Sequence, residues 1–190
     1  MRIKRRRRQL GGLNAYQTGE AFSDLYEYSH LLVFRYICGL RGGPTEEAED
    51  LTAETFFRAW RAWDRFEGSR VAAVGWLLQI ARRLVIDGYR RSARGIHERL
   101  DETDLPDPDG SSEEQTLQNE QRQTLWNMLQ SLPIEQREMV VLRYLVGWRV
   151  NEIAEHLGLT ENNVSVSLRR ALQRMRRDWP QYEGEKLNET

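Results

Sequence analysis

Apolar residues recur at three- and four-residue intervals through most of the chain, the period of an amphipathic helix rather than a strand. Phe22, Leu25, Tyr26, Ser29, Leu32, Val33, Tyr36, Ile37 and Leu40 keep that spacing and predict a first long helix, which Gly42-Gly43-Pro44 must stop. Thr45 followed by Glu46 and Glu47 opens a second helix running to about Phe66, with Ala48, Leu51, Thr55, Phe56, Ala59 and Trp63 on one face. Glu67-Gly68-Ser69 breaks the pattern. A third helix over about 71–94 carries Trp76, Leu77, Ile80, Ala81, Leu84, Val85 and Tyr89, and Gly88 inside it costs about 1 kcal/mol relative to alanine. All periodicity is lost over 95–115, where RLDETDLPDPDGSSEEQ holds Pro106, Pro108 and Gly110, repels itself and is expected to stay unstructured. Helical spacing resumes at Leu117 and passes through Leu125, Met128 and Leu129 to Leu132-Pro133; a further helix spans Ile134–Leu145. No segment of useful length alternates with strand period.

The run Trp148–Arg177 adds a recognisable supersecondary unit. Asn151–Leu157 predicts a short helix with Ile153, Ala154 and Leu157 on one face. Gly158 follows where the chain must turn sharply, since glycine reaches positive φ without steric cost. Thr160 is placed to cap a second helix and Glu161 suits its positive end. Val164, Leu168, Ala171, Leu172 and Met175 would pin that helix to the first, while Arg169, Arg170, Arg174, Arg176 and Arg177 decorate its second half. Such a helix-turn-helix can enter the major groove of duplex DNA, early residues at base edges and arginines on phosphates. The duplex-binding set is then Thr160, Asn162, Asn163, Ser165, Ser167, Arg169, Arg170 and Arg174. Helix–Gly–helix pairs with a basic solvated face also occur in proteins that never touch nucleic acid.

The expected fold is all-α: two small helical domains joined by a flexible acidic linker, the C-terminal one with the helix-turn-helix. The boundaries read as a basic tail (1–19), a helical domain (20–95), the linker (96–116), the second domain (117–178) and a polar tail (179–190). Each domain is small but able to fold alone if well packed.

Charge sharpens this division. The 190 residues carry 28 Lys and Arg against 29 Asp and Glu, so net charge alone implies no partner. Its distribution is blocked: residues 1–8 hold six cations, residues 97–120 hold nine carboxylates against one arginine, and the last helix is basic again. Such asymmetry is an interaction signature more often than a stability device. Cys38 is the only cysteine and lies among apolar residues, so it reads as a buried thiol. His30, His97 and His156 have no ligand spacing, so no metal and no cofactor are expected. No apolar run approaches the ~20 residues of a membrane helix, no signal-peptide core follows the arginines, and a cytoplasmic protein is expected. An enzyme acting on DNA would need a nucleophile beside a base or a carboxylate-metal cluster, and neither is legible.

These residues taken in order resemble a known family over roughly 20–178. Ala48-Glu49-Asp50-Leu51-Thr52-Ala53-Glu54-Thr55-Phe56 with Arg58-Ala59-Trp60, then Trp76-Leu77, Ile80-Ala81-Arg82 and Asp87 with Arg90-Arg91, then Leu132-Pro133, Arg137-Glu138, Leu142-Arg143 and Ile153-Ala154 through Val164 are similar to bacterial sigma factors of the extracytoplasmic-function (ECF) group. The resemblance implies a transcription initiation factor that binds core RNA polymerase, directs it to promoters and helps open promoter DNA. It implies polymerase contact through the second helix and capture of the melted minus-ten element by the third. The minus-thirty-five duplex would fall to the second domain. Anti-sigma factors are common partners in this group, though no residue here identifies one.

The residues themselves suit those roles. Asp50, Glu54, Arg58 and Arg61 fall three or four apart with Phe57 and Trp60 beside them, and charges sharing a face with aromatics suit a protein interface. Phe56 and Trp63 are assigned to the core and Trp60 to the partner. For the melted element the set is Arg70, Trp76, Arg82, Arg83, Arg90 and Arg91, because single strands are held by cationic grooves beside apolar pockets that take unstacked bases. The flipped base of this family would enter a pocket in the loop at about 66–74. The plain alternative is a solvated arginine face over a buried Trp76. Asp101, Glu102, Asp104, Asp107, Asp109, Glu113 and Glu114 of the linker could imitate a nucleic-acid backbone inside the polymerase cleft, or serve only solubility and spacing. The chain departs from the family at Ala53, Arg83, Asn162-Asn163, Ser165 and Ser167. The last four put promoter preference, not fold, in question, because Asn and Ser read bases differently from Lys or Arg. An ordinary helix-turn-helix regulator that binds duplex DNA without joining polymerase stays as the alternative.

Overall fold

The structure, a computed structural model, describes the backbone of residues 19–93 and 113–178 and the side chains of residues 21–91 and 121–177. The basic tail, the linker carboxylates from Asp101 to Asp109, Arg94 and the C-terminal tail lie outside the described residues. The described residues are helical and form no strand: α1 (Gly19–Arg41), α2 (Glu46–Ala62), α3 (Arg70–Ala93), α4 (Glu113–Ser131), α5 (Ile134–Tyr144), α6 (Val150–Leu157) and α7 (Glu161–Asp178). By its contacts the chain divides into two compact units, with boundaries at Ile37/Cys38, Thr45/Glu46 and Glu98/Arg99.

The first unit is built on an aromatic centre. Phe22 of α1 is buried and meets Phe56, Trp60 and Trp63 edge-on, with ring centroids at 6.5, 5.0 and 5.3 Å. Leu25, Val33, Tyr36 and Ile37 of α1, Ala48, Leu51 and Ala59 of α2, and Ala73, Val74, Leu77, Leu78, Ala81, Leu84 and Val85 of α3 complete the core. Three hydroxyls inside it, those of Ser29, Thr52 and Thr55, each donate to the carbonyl four residues back, so burial leaves them satisfied. Gly88 does not interrupt α3 and is buried.

α2 ends at Ala62, earlier than the expected Phe66, and gives way to a 3₁₀ turn at Trp63–Arg65. The reason is side-chain registry. A 3₁₀ turn eclipses residues i and i+3, and here it stacks the Trp63 and Phe66 rings at 5.4 Å with only 6° between their planes. Phe66 then leaves in extended conformation (φ −73°, ψ 125°), which ends the turn.

The second unit departs from expectation at its start. α4 begins at Glu113, so residues 113–115, expected to be unstructured, are helical backbone. The α4–α5 corner is held by Arg137, buried and donating to Gln130 Oε1 at 2.6 Å and to the Gln130 and Leu132 carbonyls at 2.7 and 3.1 Å. Met128, Leu129, Leu132, Met139–Leu142, Ile153, Ala154, Val164, Leu168 and Ala171 form the core. Leu172 does not belong to it, contrary to the periodic pattern: it is 39% exposed, since a step of about 100° past Ala171 carries it off the buried row.

Cys38 is buried, as its apolar neighbours in sequence suggest. Among the described residues no helix is long and apolar enough to cross a membrane, and no three metal-ligating side chains cluster.

Candidate nucleic-acid and protein interfaces

The turn between α6 and α7 follows directly from its residue types. Gly158 adopts the left-handed conformation (φ 67°, ψ 34°), its amide donates to Glu155 O at 3.3 Å, and Leu159 N donates to Ala154 O at 2.8 Å. Together these bonds make a Schellman stop for α6. Thr160 then caps α7 through Asn163 N to Oγ1 at 3.2 Å, while Val164 N bonds to its carbonyl. At the other end of α6, Arg149 N donates to Glu152 Oε2 at 2.7 Å, and Arg143 Nη1 donates to Trp148 O at 2.9 Å to fix the approach from α5.

With Val164, Leu168 and Ala171 buried against α5 and α6, the remaining faces of α7 are set by helical geometry. Asn162 and Arg169 stand opposite the buried row. Asn163, Arg170 and Arg174 lie along one flank, and Ser165 lies along the other with Arg176. All of these are exposed. Ser167 is half-buried and less available. Gln173, absent from the set expected from sequence, is exposed one turn beyond Arg169 on the same outer face. Its spacing of four from Arg169 is the signal that points to it, and its amide has the two-pronged chemistry that suits adenine.

On α2 the outward strip is chemically different. Phe57 and Trp60 are 55% and 52% exposed, whereas Phe56 and Trp63 are buried as expected. Trp60 is not loose: one edge rests on Phe22, so the ring is presented in a fixed pose. Glu54 and Arg58 pair at 2.6 Å, the Arg61 guanidinium sits 5.8 Å from the Phe57 centroid, and Asp50 is exposed a turn earlier. An exposed pair of this kind contributes at most about 1 kcal/mol to folding.

The α3 residues separate into distinct places. Trp76, Arg83 and Arg90 recur every seven residues and share one stripe, with Asp87 3.7 Å from Arg90. Trp76 is half-buried rather than buried, and Phe66 stacks on it at 4.9 Å, so Trp63, Phe66 and Trp76 form a run of rings ending at the surface. A Cβ at Gly68 would come within 2.8 Å of the Phe66 ring, so a larger residue there would displace the ring from its stack. Arg82 lies off this stripe and is half-buried; Arg91 is exposed but turned away from it. Arg70 is elsewhere again, its guanidinium 4.1 Å from the Tyr28 centroid on α1. Phe66 falls in the loop expected to take the flipped base, but Tyr28 does not stand out in the sequence as a functional residue, because only the packing of α1 against α3 brings it to Arg70.

Among the described residues the protein is all-α, one helical unit carrying an exposed aromatic strip and an arginine-bearing helix and the other a helix-turn-helix of the class that docks on duplex DNA. Residues 25–95 match Sigma-70 region 2 and residues 122–175 match Sigma-70, region 4. The chain is 31% identical to the ECF RNA polymerase sigma factor SigL of Mycobacterium tuberculosis over 80% of its own length and 85% of that protein's. It is 28% identical to the ECF RNA polymerase sigma factor SigX of Bacillus subtilis over 83% of each. The chain belongs to the ECF group of RNA polymerase sigma factors, which are transcription initiation factors and not enzymes. Its fold is similar to that of the sigma factor RpoE from Bartonella quintana, solved in complex with the anti-sigma factor NepR, with a TM-score of 0.63, 22% identity and coverage of 84% of this chain and 96% of that one.

Proposed function

We propose that the two units divide promoter recognition between them. The α2 strip of Asp50, Glu54, Phe57, Arg58, Trp60 and Arg61 binds core RNA polymerase. The α3 stripe of Trp76, Arg83 and Arg90, with Arg70 and the ring run ending at Phe66 and Trp76, takes the opened strand of the minus-ten element. α7 enters the major groove of the intact minus-thirty-five duplex with Asn162, Asn163, Ser165, Arg169 and Gln173 toward base edges and Arg170 and Arg174 toward phosphates. Arg82 and Arg91 play a smaller part, on account of their positions off the stripe.

The observation that carries this reading is the exposed Phe57–Trp60 pair. Large aromatic side chains half in water forgo apolar burial worth about 25 cal/mol per Å², and a partner that covers them recovers it. Capture of unstacked bases supports opening without nucleotide hydrolysis, since each lost stacking step costs about 1–2 kcal/mol. An inhibitor of the anti-sigma kind is a partner suited to the same aromatic strip, and the protein works in the cytoplasm beside the chromosome. The outer segments fit this scheme: the Arg2–Arg8 tail adds salt-sensitive DNA affinity, and the acidic linker spans the polymerase cleft.

Run-off transcription from a genomic promoter library, with core polymerase alone and with this protein added, tests the proposal. Promoter-specific transcripts that depend on the protein are expected. Duplex binding with no association to core polymerase would instead return the protein to an ordinary helix-turn-helix regulator.

A further inference from the structure

Arg70 is placed where a helix least favours it. It opens α3, whose first turn holds no carboxylate, and a cation at that end opposes the helix dipole. Its Nε is buried with no hydrogen-bond partner, and the guanidinium pairs with no carboxylate among the described residues. What holds it is a ring: the guanidinium carbon lies 4.1 Å from the centroid of Tyr28, a residue of α1 that is itself 58% exposed. A tyrosine more than half in water contributes little to the core, so its placement is better explained by what it supports.

We infer that Tyr28 is a positioning residue for Arg70. The ring seats the guanidinium by a cation–π contact, which satisfies its face, while Nε has no hydrogen-bond partner and no carboxylate among the described residues pairs with the group. A guanidinium restrained in this way loses less freedom when it takes a phosphate bidentately than one on a free side chain. The ligand is a phosphate of unpaired DNA. The inference rests on the assignment of Arg70 to the opened strand and adds the residue on α1 that makes the contact effective. Leu31, three residues after Tyr28 on α1, and Val71, next to Arg70 on α3, are 52% and 76% exposed.

The test uses the full chain and a fluorescein-labelled, mixed-sequence single-stranded DNA, titrated over a range of salt, because a phosphate contact is independent of sequence. Arg70→Ala and Tyr28→Leu are each expected to lower affinity about 3- to 10-fold. Both should flatten the salt dependence by the same increment, about 0.7 in log–log slope for one phosphate of a single strand. Tyr28→Phe keeps the ring and should bind like the parent, and Tyr28→Leu should add nothing on the Arg70→Ala background. A purely structural tyrosine would lower melting temperature without moving the salt slope. Tyr28→Gln supplies the same comparison if the leucine variant associates or fails to fold. An unchanged slope in both Tyr28→Leu and Tyr28→Gln, or an equal loss with and without Arg70, overturns the positioning role. If Arg70→Ala itself binds normally, the assignment of Arg70 to the opened strand falls too; loss with Arg70→Ala alone leaves that assignment standing and rejects only Tyr28.

Discussion

On α2 the solvent-facing strip is aromatic and charged; on α7 it is amide, hydroxyl and guanidinium. Phe57 and Trp60 stand half in water on the first helix, and the outer face of the second offers Asn162, Asn163, Ser165, Arg169 and Gln173. Protein interfaces gain their energy from aromatic anchors removed from water, whereas DNA is gripped through phosphates and read through directional hydrogen bonds. The supports differ in the same sense. Trp60 is steadied by an aromatic neighbour, Phe22, and α7 is steadied by local turn geometry: a left-handed glycine and a threonine side-chain cap. A rigid apolar anchor and a rigid helix axis are different requirements, and each unit meets its own.

The comparison is broken most sharply at Trp63 and Trp60, three residues apart. Trp63→Ala removes a buried ring from the Phe22 cluster and should cost about 3–5 kcal/mol of stability, read by denaturant unfolding. Trp60→Ala should leave the melting temperature within a few degrees yet weaken core polymerase binding by about 2–4 kcal/mol, measured by fluorescence anisotropy. A large stability loss with Trp60→Ala would make the α2 strip part of the core. For α7, Arg169→Ala should cost about 1–3 kcal/mol of duplex binding on a cognate promoter if it reads a base. Equal losses on cognate and random duplex would move it to the phosphate set. Smallest is Gly158→Ala. A Cβ at this position would meet no surrounding atom within 4 Å, so only the positive φ opposes the change, and about 1–2 kcal/mol of stability should be lost. A neutral substitution, read by thermal unfolding, would mean that the α6–α7 turn relaxes without the left-handed residue.

Several of these features are legible in one-dimensional pattern. The turn between α6 and α7 can be read directly because its determinants are local: a glycine, a threonine three residues before the amide it accepts from, and apolar residues at helical spacing. The division between buried Phe56 and Trp63 and exposed Trp60, across α2 and the turn that follows it, is legible for the same reason. Leu172 shows the weakness of periodicity, since spacing alone admits a residue that sits at the margin of the buried row. The early end of α2 is not legible, because it depends on the Trp63 ring meeting Phe66 and Phe66 meeting Trp76 from another helix.

Residue order by itself determined the helical class, the places where most helices stop, the turn of the helix-turn-helix and the family, since each rests on neighbours within a few positions or on a run of short motifs. Tertiary structure decided that Trp63, Phe66 and Trp76 stack in a run, that Trp60 rests on Phe22, and that Tyr28 lies under Arg70. Those outcomes depend on elements that meet only in the folded chain, and their geometry is set by how helices pack side by side, a quantity that no periodicity within a single helix encodes.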